Sequence, residues 1–164
     1  MLKSAHDLLI RHSKSGVFFD TNLMVVFVVG SYKPELLGKH RRTQAFDIAE
    51  YRLLLSLLER CEKRLTTPNI LTEVDNLSRQ LPSNDHSEIS KHLNALATQM
   101  FEIYNQSLEH LGGELHSKVG LTDSILVHHS ADHLVVTADF PLASRIETMR
   151  RNVINFNHIR HYAV

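Results

Sequence analysis

Several residue types are scarce in this sequence of 164 residues, and each shortage excludes a class of protein. The one cysteine, Cys61, cannot form a disulfide within the chain or build a site of several thiolates, which is typical of a reducing compartment. Six glycines and four prolines exclude a collagen-like or linker-like chain. The longest stretch without a charged side chain, Thr21 to Tyr32, has twelve residues, whereas a membrane-spanning helix needs about 18.

The first residues also lack the long apolar segment of a secretory signal. We therefore expect a cytoplasmic protein that makes no contact with a membrane. Net charge is absent as well, because 18 Lys and Arg residues balance 18 Asp and Glu residues. This balance excludes a protein that binds nucleic acid over its whole surface, although it leaves room for a local basic patch.

What the sequence does contain is an ordinary globular mixture. Apolar residues make up 43% of the chain, which excludes a disordered protein. The length suits one domain of about 100–200 residues, so we expect a single domain over residues 1–164. Three common enzyme signatures are missing: the glycine-rich dinucleotide fingerprint, the phosphate-binding loop ending in Gly-Lys-Ser/Thr, and the Gly-x-Ser-x-Gly nucleophile turn.

Short apolar runs alternate with helical patterns along the chain. The runs predict strands at 16–20, 64–67, 133–137 and 153–156. The periodic segments predict helices at 2–12, 21–29 (ended by Gly30), 44–62, 68–80, 86–111 (ended by Gly112 and Gly113), a short helix capped by Thr122, and 139–151. This alternation predicts an α/β fold, with a parallel sheet covered by helices on both faces.

Acidic residues follow the predicted strands. Asp20 ends the first strand, Glu73 lies in the helix after the second, and Asp139 follows the strand at 133–137. Ligands of such sheets bind outside the carboxyl ends of the strands, so three carboxylates converge there and Asp123 could join them. Bare carboxylates in such a cluster repel each other, and bound cations are the usual explanation. Hard oxygen ligands select Mg²⁺ or Mn²⁺, the ions of metal-dependent nucleases.

Four motifs contain these acids, in the order Phe18-Phe-Asp20-Thr-Asn22, Thr67-Pro-Asn-Ile-Leu-Thr-Glu73-Val, Leu121-Thr-Asp123-Ser-Ile-Leu and Val136-Thr137-Ala-Asp139-Phe-Pro-Leu142. Each motif alone is weak, but the ordered set resembles the PIN domain, a nuclease fold. The resemblance implies a three-layer α/β/α domain with a central, mostly parallel sheet. It also implies an endoribonuclease that uses Mg²⁺ or Mn²⁺ to hydrolyse phosphodiester bonds of single-stranded RNA.

The same resemblance assigns residues and partners. It implies that Asp20, Glu73, Asp123 and Asp139 are catalytic and bind the metal. Asn22 and Thr137 would orient those ligands or their waters. Many single-domain relatives are toxins that a small antitoxin protein holds inactive, and they are often dimers. We therefore expect an RNA substrate, a homodimer and possible pairing with an antitoxin. The longer connection at 31–43 and the segment at 86–111 depart from a minimal toxin of this kind.

Basic residues near the predicted site are candidates for RNA binding. Arg41 and Arg42 belong to the run Lys39-His-Arg-Arg42, and Arg145 lies less than two helical turns beyond Asp139. Each could contact an RNA phosphate. The run could equally be a solvated loop, since charge runs usually are.

Each acidic residue also has a purely structural interpretation. Asp20 and Asp139 suit helix N-caps, and Asp123 and Glu73 suit the first turns of helices, where negative charge is favourable. Asp75 faces away from Glu73 and is expected to be solvated or paired.

Three further functions stay open at this point. The first is a catalytically silent PIN-like module that binds RNA or protein. The second is a zinc site at His128, His129 and His133, which would need converging ligands. The third is a phosphatase, which the Asn22 position disfavours.

Overall fold

The computed structural model describes residues 2–39, 41–81 and 86–162. Its centre is a sheet of five strands, all parallel, in the order β3–β2–β1–β4–β5. The strands are β1 (Val17–Phe19), β2 (Arg64–Thr66), β3 (Phe101–Glu102), β4 (Leu134–Thr137) and β5 (Val153–Asn155). The predicted α/β class with a central parallel sheet is therefore confirmed.

Eight helices connect and cover these strands in the described part of the chain. They are α1 (Leu2–His12), α2 (Thr21–Tyr32), α3 (Ile48–Glu59), α4 (Pro68–Ser78), α5 (His86–Ala97), α6 (Glu114–Val119), α7 (Leu121–His129) and α8 (Phe140–Thr148). None of these helices combines the length and the apolar character that crossing a membrane requires.

The order of the strands places the helices on two faces. From β1 the chain moves outward through β2 to β3, and α2, α3, α4 and α5 form the connections. It then returns to the other side of β1 for β4 and β5, through α7 and α8. Right-handed crossovers that run in opposite directions lie on opposite faces of a sheet. The sheet is therefore the middle of three layers.

The core lies on both sides of β1. Phe18 pairs with Leu65 of β2 and Val135 of β4, and all three side chains are fully buried. Helix α2 is apolar on almost every side because it packs against α3, α4 and α5 as well as the sheet. A helix with neighbours on every side needs no polar face, which explains the run of apolar residues that made it recognisable in the sequence.

The predicted helix over residues 86–111 is wrong beyond Ala97. Helix α5 ends there, and β3 follows and pairs with β2 through Leu65 and Phe101. The Ile103 amide also donates to the Thr66 carbonyl at 2.9 Å. The apolar spacing of four and three continues through this segment, but edge pairing with the sheet satisfies its backbone better than another helical turn does. Gly113 does not end a helix either, since it precedes α6 as its N-cap.

Other predicted boundaries shift for local reasons. Helix α3 begins at Ile48 instead of residue 44, because Asp47 and Glu50 form a reciprocal capping box. Gly120, at φ +84°, precedes α7, so Thr122 is not its cap. Helix α2 continues through Gly30 to Tyr32.

Gly30 is retained inside α2 for packing. A Cβ atom there would lie 2.5 Å from Cδ2 of the Tyr51 ring and 2.9 Å from Cγ, at the base of the ring. The glycine therefore lets α3 approach α2 closely.

We predict that Gly30→Ala lowers the free energy of unfolding by about 1–3 kcal/mol, because overpacking outweighs the gain in helix propensity. Gly113→Ala is the matched control, since its φ is negative and nothing lies within 4 Å of the added carbon. Urea denaturation of both variants measures the difference. Equal stability of Gly30→Ala and the parent protein would contradict this account of the α2–α3 contact.

Candidate active site

The candidate site lies where the sheet changes direction. The chain leaves β1 toward β2 on one side and later returns to β4 on the other, so the carboxyl ends of β1 and β4 flank a crevice. Ligands of open parallel sheets bind at such a switch point. Asp20 directly follows β1, and Asp139 lies two residues beyond β4.

Asp20 is the most enclosed of the four acids, with 2% of its surface exposed. One oxygen, Oδ1, accepts the Leu23 amide at 2.8 Å and caps α2. The other, Oδ2, accepts the Thr137 hydroxyl and the Ala138 amide, the latter at 3.0 Å. Burial raises the pKa of Asp20, and these hydrogen bonds oppose that shift by stabilising the carboxylate. Thr137, to which the resemblance assigns an orienting role, therefore contacts Asp20 directly.

Asp139 is held by the same turn. Its amide donates to the Thr137 hydroxyl oxygen at 2.8 Å, and its Oδ1 accepts the Leu142 amide at 2.8 Å as the N-cap of α8. Both Asp20 and Asp139 are therefore helix caps as well as residues of the crevice. The structural and functional interpretations of these two acids are compatible, because capping uses only part of each carboxylate.

Glu73 reaches the crevice from α4. Thr21, the first residue of α2, donates its hydroxyl to Glu73 Oε2 at 2.8 Å. Thr21 belongs to the Asp-Thr-Asn motif, but sequence reasoning assigned it no role. A signal for it was present, since this threonine is next to Asp20 and follows the strand.

Asp123 is a second acid of the set whose pKa is raised. Burial raises its pKa to about 7, and the negative charges of Asp139, Asp20 and Glu73 add to that shift. This electrostatic coupling means that the four acids form one cluster. Among the described residues, no hydrogen bond compensates the Asp123 carboxylate.

The four acids line one cleft of about 320 Å³. Arg42 is the one cationic side chain among the described lining residues, and the amides of Asn22 and Asn76 are also there. The remaining lining residues are Thr21, Leu77, Val119, Gly120, Leu121 and Thr122. Asn76 was not identified from the sequence. It is one helical turn beyond Glu73, so helical spacing could have indicated it.

Some predicted residues lie outside the lining of this cleft. Arg41 is solvent-exposed, and His40 of the same basic run is outside the described residues. Arg145 is near Glu114, whose pKa is lowered mainly by Lys118 and more weakly by Arg145. Asp75 pairs with Arg79 at 2.8 Å, as expected for a residue facing away from Glu73.

The donor chemistry of the cleft suits a hard cation. Glu73 and Asp139 each use one oxygen in the hydrogen bonds described above, so the second oxygen of each is uncommitted. Carboxylate oxygens are the ligands that Mg²⁺ and Mn²⁺ prefer. Across residues 2–39, 41–81 and 86–162, however, no three His, Cys, Asp or Glu side chains are already grouped closely enough to hold a metal ion. The set suits such an ion by charge and ligand type.

The histidines near the amino end of β4 pack as rings instead. His129 stacks on Phe18 with ring centroids 5.1 Å apart, and His128 and His133 lie edge-on or tilted beside it at 5.5 and 6.1 Å. Burial and the neighbouring histidines lower the pKa of His129 to about 4. These residues do not converge on a zinc ion in the described structure.

Comparison of the chain with protein-family models, with curated proteins and with solved structures found no match.

We predict that Thr137→Val lowers the free energy of unfolding by about 1–3 kcal/mol, because it leaves the buried Asp20 oxygen and the Asp139 amide short of a partner. Thr137→Ser keeps the hydroxyl and should recover most of this loss. Chemical denaturation of the two variants separates the hydrogen bond from the lost methyl group. Equal destabilisation by valine and serine would show that the hydroxyl contributes little.

The raised pKa of Asp123 predicts a pH-dependent stability. Between about pH 4 and 7 the unfolded chain loses this proton while the folded protein keeps it, so the Asp123 contribution to stability falls as pH rises. In EDTA at pH 8, Asp123→Asn should therefore be more stable than the parent protein by up to about 4 kcal/mol. The difference should shrink toward pH 5.

Asp75→Asn is the control, because Asp75 pairs with Arg79 outside the cleft. Thermal unfolding across this pH range measures both variants. A difference between Asp123→Asn and the parent that does not change with pH would contradict the raised pKa of Asp123.

Proposed function

We propose that this protein is an endoribonuclease that uses Mg²⁺ or Mn²⁺ to hydrolyse phosphodiester bonds of single-stranded RNA. The observation that carries the proposal is that four carboxylates line one cleft at the switch point, where burial and then the neighbouring negative charges raise the pKa of Asp123. Such a cluster costs stability unless a cation neutralises it. Proteins keep costly arrangements of this kind mainly at functional sites.

The residues that would hold the metal are Asp20, Glu73, Asp123 and Asp139. Asp123 and the uncommitted oxygens of Glu73 and Asp139 are the most available ligands. A divalent cation supplies two things when bound there, namely a lowered pKa for a water molecule and positive charge for the phosphate.

The protein contributes positioning through its own hydrogen bonds. Three hydrogen bonds hold the Asp20 carboxylate in one orientation. Their donors are the Leu23 amide, the Thr137 hydroxyl and the Ala138 amide. Thr21 holds Glu73 from the start of α2. Arg42 faces the same cleft and supports the proposal as a residue that can contact a substrate phosphate.

The negative charge of the cleft favours a phosphate-bearing substrate that binds together with a cation. Four carboxylates alone would repel a polyanion, and the chain has no net positive charge to offset them. The resemblance of the four motifs to the PIN domain supports RNA as that polyanion. A toxin role, a small antitoxin partner, dimerisation and a cytoplasmic location stay predictions, as do RNA contacts at Arg41 and Arg145.

The second candidate is a catalytically silent module that binds RNA or protein. One observation favours it: the carboxylates of the described residues are not already grouped around a metal position. An endoribonuclease cleaves the RNA when a divalent metal is added, whereas a silent module binds the RNA without cleaving it.

The decisive experiment is cleavage of a labelled single-stranded RNA with Mn²⁺, Mg²⁺ or EDTA. We expect metal-dependent cleavage by the parent protein. Asp20→Asn, Glu73→Gln, Asp123→Asn and Asp139→Asn should each reduce the rate by at least about 100-fold, because each removes a charged ligand that neutralises the transition state.

Asp75→Asn is the matched control, because Asp75 lies on the same helix as Glu73 but pairs with Arg79 outside the cleft. It should cleave at the parent rate. Cleavage that survives EDTA or any of the four substitutions would contradict the proposal. RNA binding without cleavage in either metal would favour the silent module.

A further inference from the structure

Two exposed aromatic residues belong to segments that leave the sheet at the edge of the acidic cleft. Phe140 has 63% of its surface exposed and Tyr104 has 76%. An exposed aromatic ring gives up the stabilisation that burial would provide, although isolated cases are common on protein surfaces. Two such rings at one edge, on either side of a candidate site, call for a joint explanation.

Both rings follow the carboxyl end of a strand. Tyr104 lies two residues beyond β3, and Phe140 lies three residues beyond β4. Since β3 and β4 are separated by β2 and β1, three strand spacings or about 14 Å lie between these two ends. The acids that follow β1, β2 and β4 occupy the intervening edge. A flexible strand that crosses the cleft would therefore pass both aromatic residues.

Neither ring is needed by the core. Helix α8 buries Leu142, Ala143 and Ile146, and Phe140 lies outside that apolar face. It is one peptide bond from Asp139, so its backbone is fixed by the cap of the helix. Tyr104 donates its hydroxyl to Glu102 Oε2 at 2.9 Å, which restrains the ring while leaving its faces open.

The charge of the cleft indicates what these two rings could contribute to binding. Among the described lining residues Arg42 is the one cation, opposed by four carboxylates. Phosphate attraction is therefore a small source of affinity for a nucleic acid here, and the main alternative is stacking of unpaired bases on aromatic faces. Bases in a duplex are already stacked and cannot use such platforms.

We infer that Phe140 and Tyr104 are base-stacking residues that hold a single strand across the acidic cleft, one on each side of the scissile position. This inference rests on the proposed function, because it takes RNA as the ligand. It makes the two rings the determinants of preference for unpaired nucleotides. It also predicts binding that depends on the bases more than on the phosphates.

The test is fluorescence anisotropy in Ca²⁺, an oxygen-ligated cation that neutralises the acids, with a labelled oligouridylate of about 12 nucleotides and an abasic strand of equal length. Phe140→Ala and Tyr104→Ala should each weaken binding of the oligouridylate by about 5- to 100-fold. Neither should change binding of the abasic strand. Phe140→Tyr and Tyr104→Phe keep a ring and should bind within about twofold of the parent protein.

Phe101→Ala is the matched control, since Phe101 is 58% exposed but lies within β3 instead of beyond its end. It should leave the affinity unchanged. The inference is overturned if the parent protein does not bind the oligouridylate, if the two alanine variants bind it like the parent, or if they lose equal affinity for the abasic strand.

Cleavage of the same oligouridylate in Mn²⁺ separates this inference from the proposed function. The alanine variants should raise KM and leave kcat nearly unchanged. If the protein cleaves in the presence of metal but the KM of both alanine variants equals that of the parent, the stacking inference is overturned and the proposed nuclease activity stands. Base-dependent binding that needs both rings, without any cleavage, would support stacking and refute the nuclease.

Discussion

The hydrogen bonds of the buried Asp20 carboxylate connect the ends of β1 and β4, where the two directions of the sheet meet. Its position at the end of β1 lets it cap α2 through the Leu23 amide and receive the Thr137 hydroxyl and Ala138 amide from the end of β4. Hydrogen bonds to a charged acceptor are among the stronger ones in proteins, and a buried carboxylate needs them to offset its lost hydration. The switch point therefore has one geometry, in which the turns carrying Asp139 and Thr21 are also fixed.

That fixed geometry has an electrostatic consequence. Asp139, Glu73 and Asp123 are brought toward the Asp20 carboxylate, and burial together with the neighbouring negative charges raises the pKa of Asp123 to about 7. Part of the protein therefore still carries this proton near neutral pH. A cation that enters the cleft can displace the proton and relieve the repulsion in one step, which makes the cluster a receptor for positive charge.

The sequence allowed prediction of much of this arrangement because local rules and the fold agree there. Asp20, Asp139 and Thr67 each suit a helix N-cap, and all three occupy that position. The alternation of strands and helices then places the carboxyl ends of the strands at one edge of a parallel sheet. Asp123 and Glu73 could be assigned to the same edge because both lie near helix starts that follow the predicted turns.

The errors arose where tertiary pairing decided the outcome. Apolar spacing continued past Ala97, and only the open edge of β2 explains why Phe101 joins a strand. Gly30 is suited to end a helix, but the close approach of Tyr51 keeps it within α2. The hydrogen bond from Thr21 to Glu73 depends on how α2 and α4 face each other, so the motif could point to Thr21 but not to its partner.

The most direct test of the cation site is the number of protons released when Mn²⁺ binds at pH 7, measured by calorimetry in two buffers of different ionisation enthalpy. The account predicts that the parent protein releases part of a proton per ion, because the raised pKa of Asp123 lies near this pH, and that the release falls toward pH 8. Asp123→Asn should bind more weakly and release less. Absence of Mn²⁺ binding, or an unchanged proton release in Asp123→Asn, would contradict the central claim that the four carboxylates form one cation site.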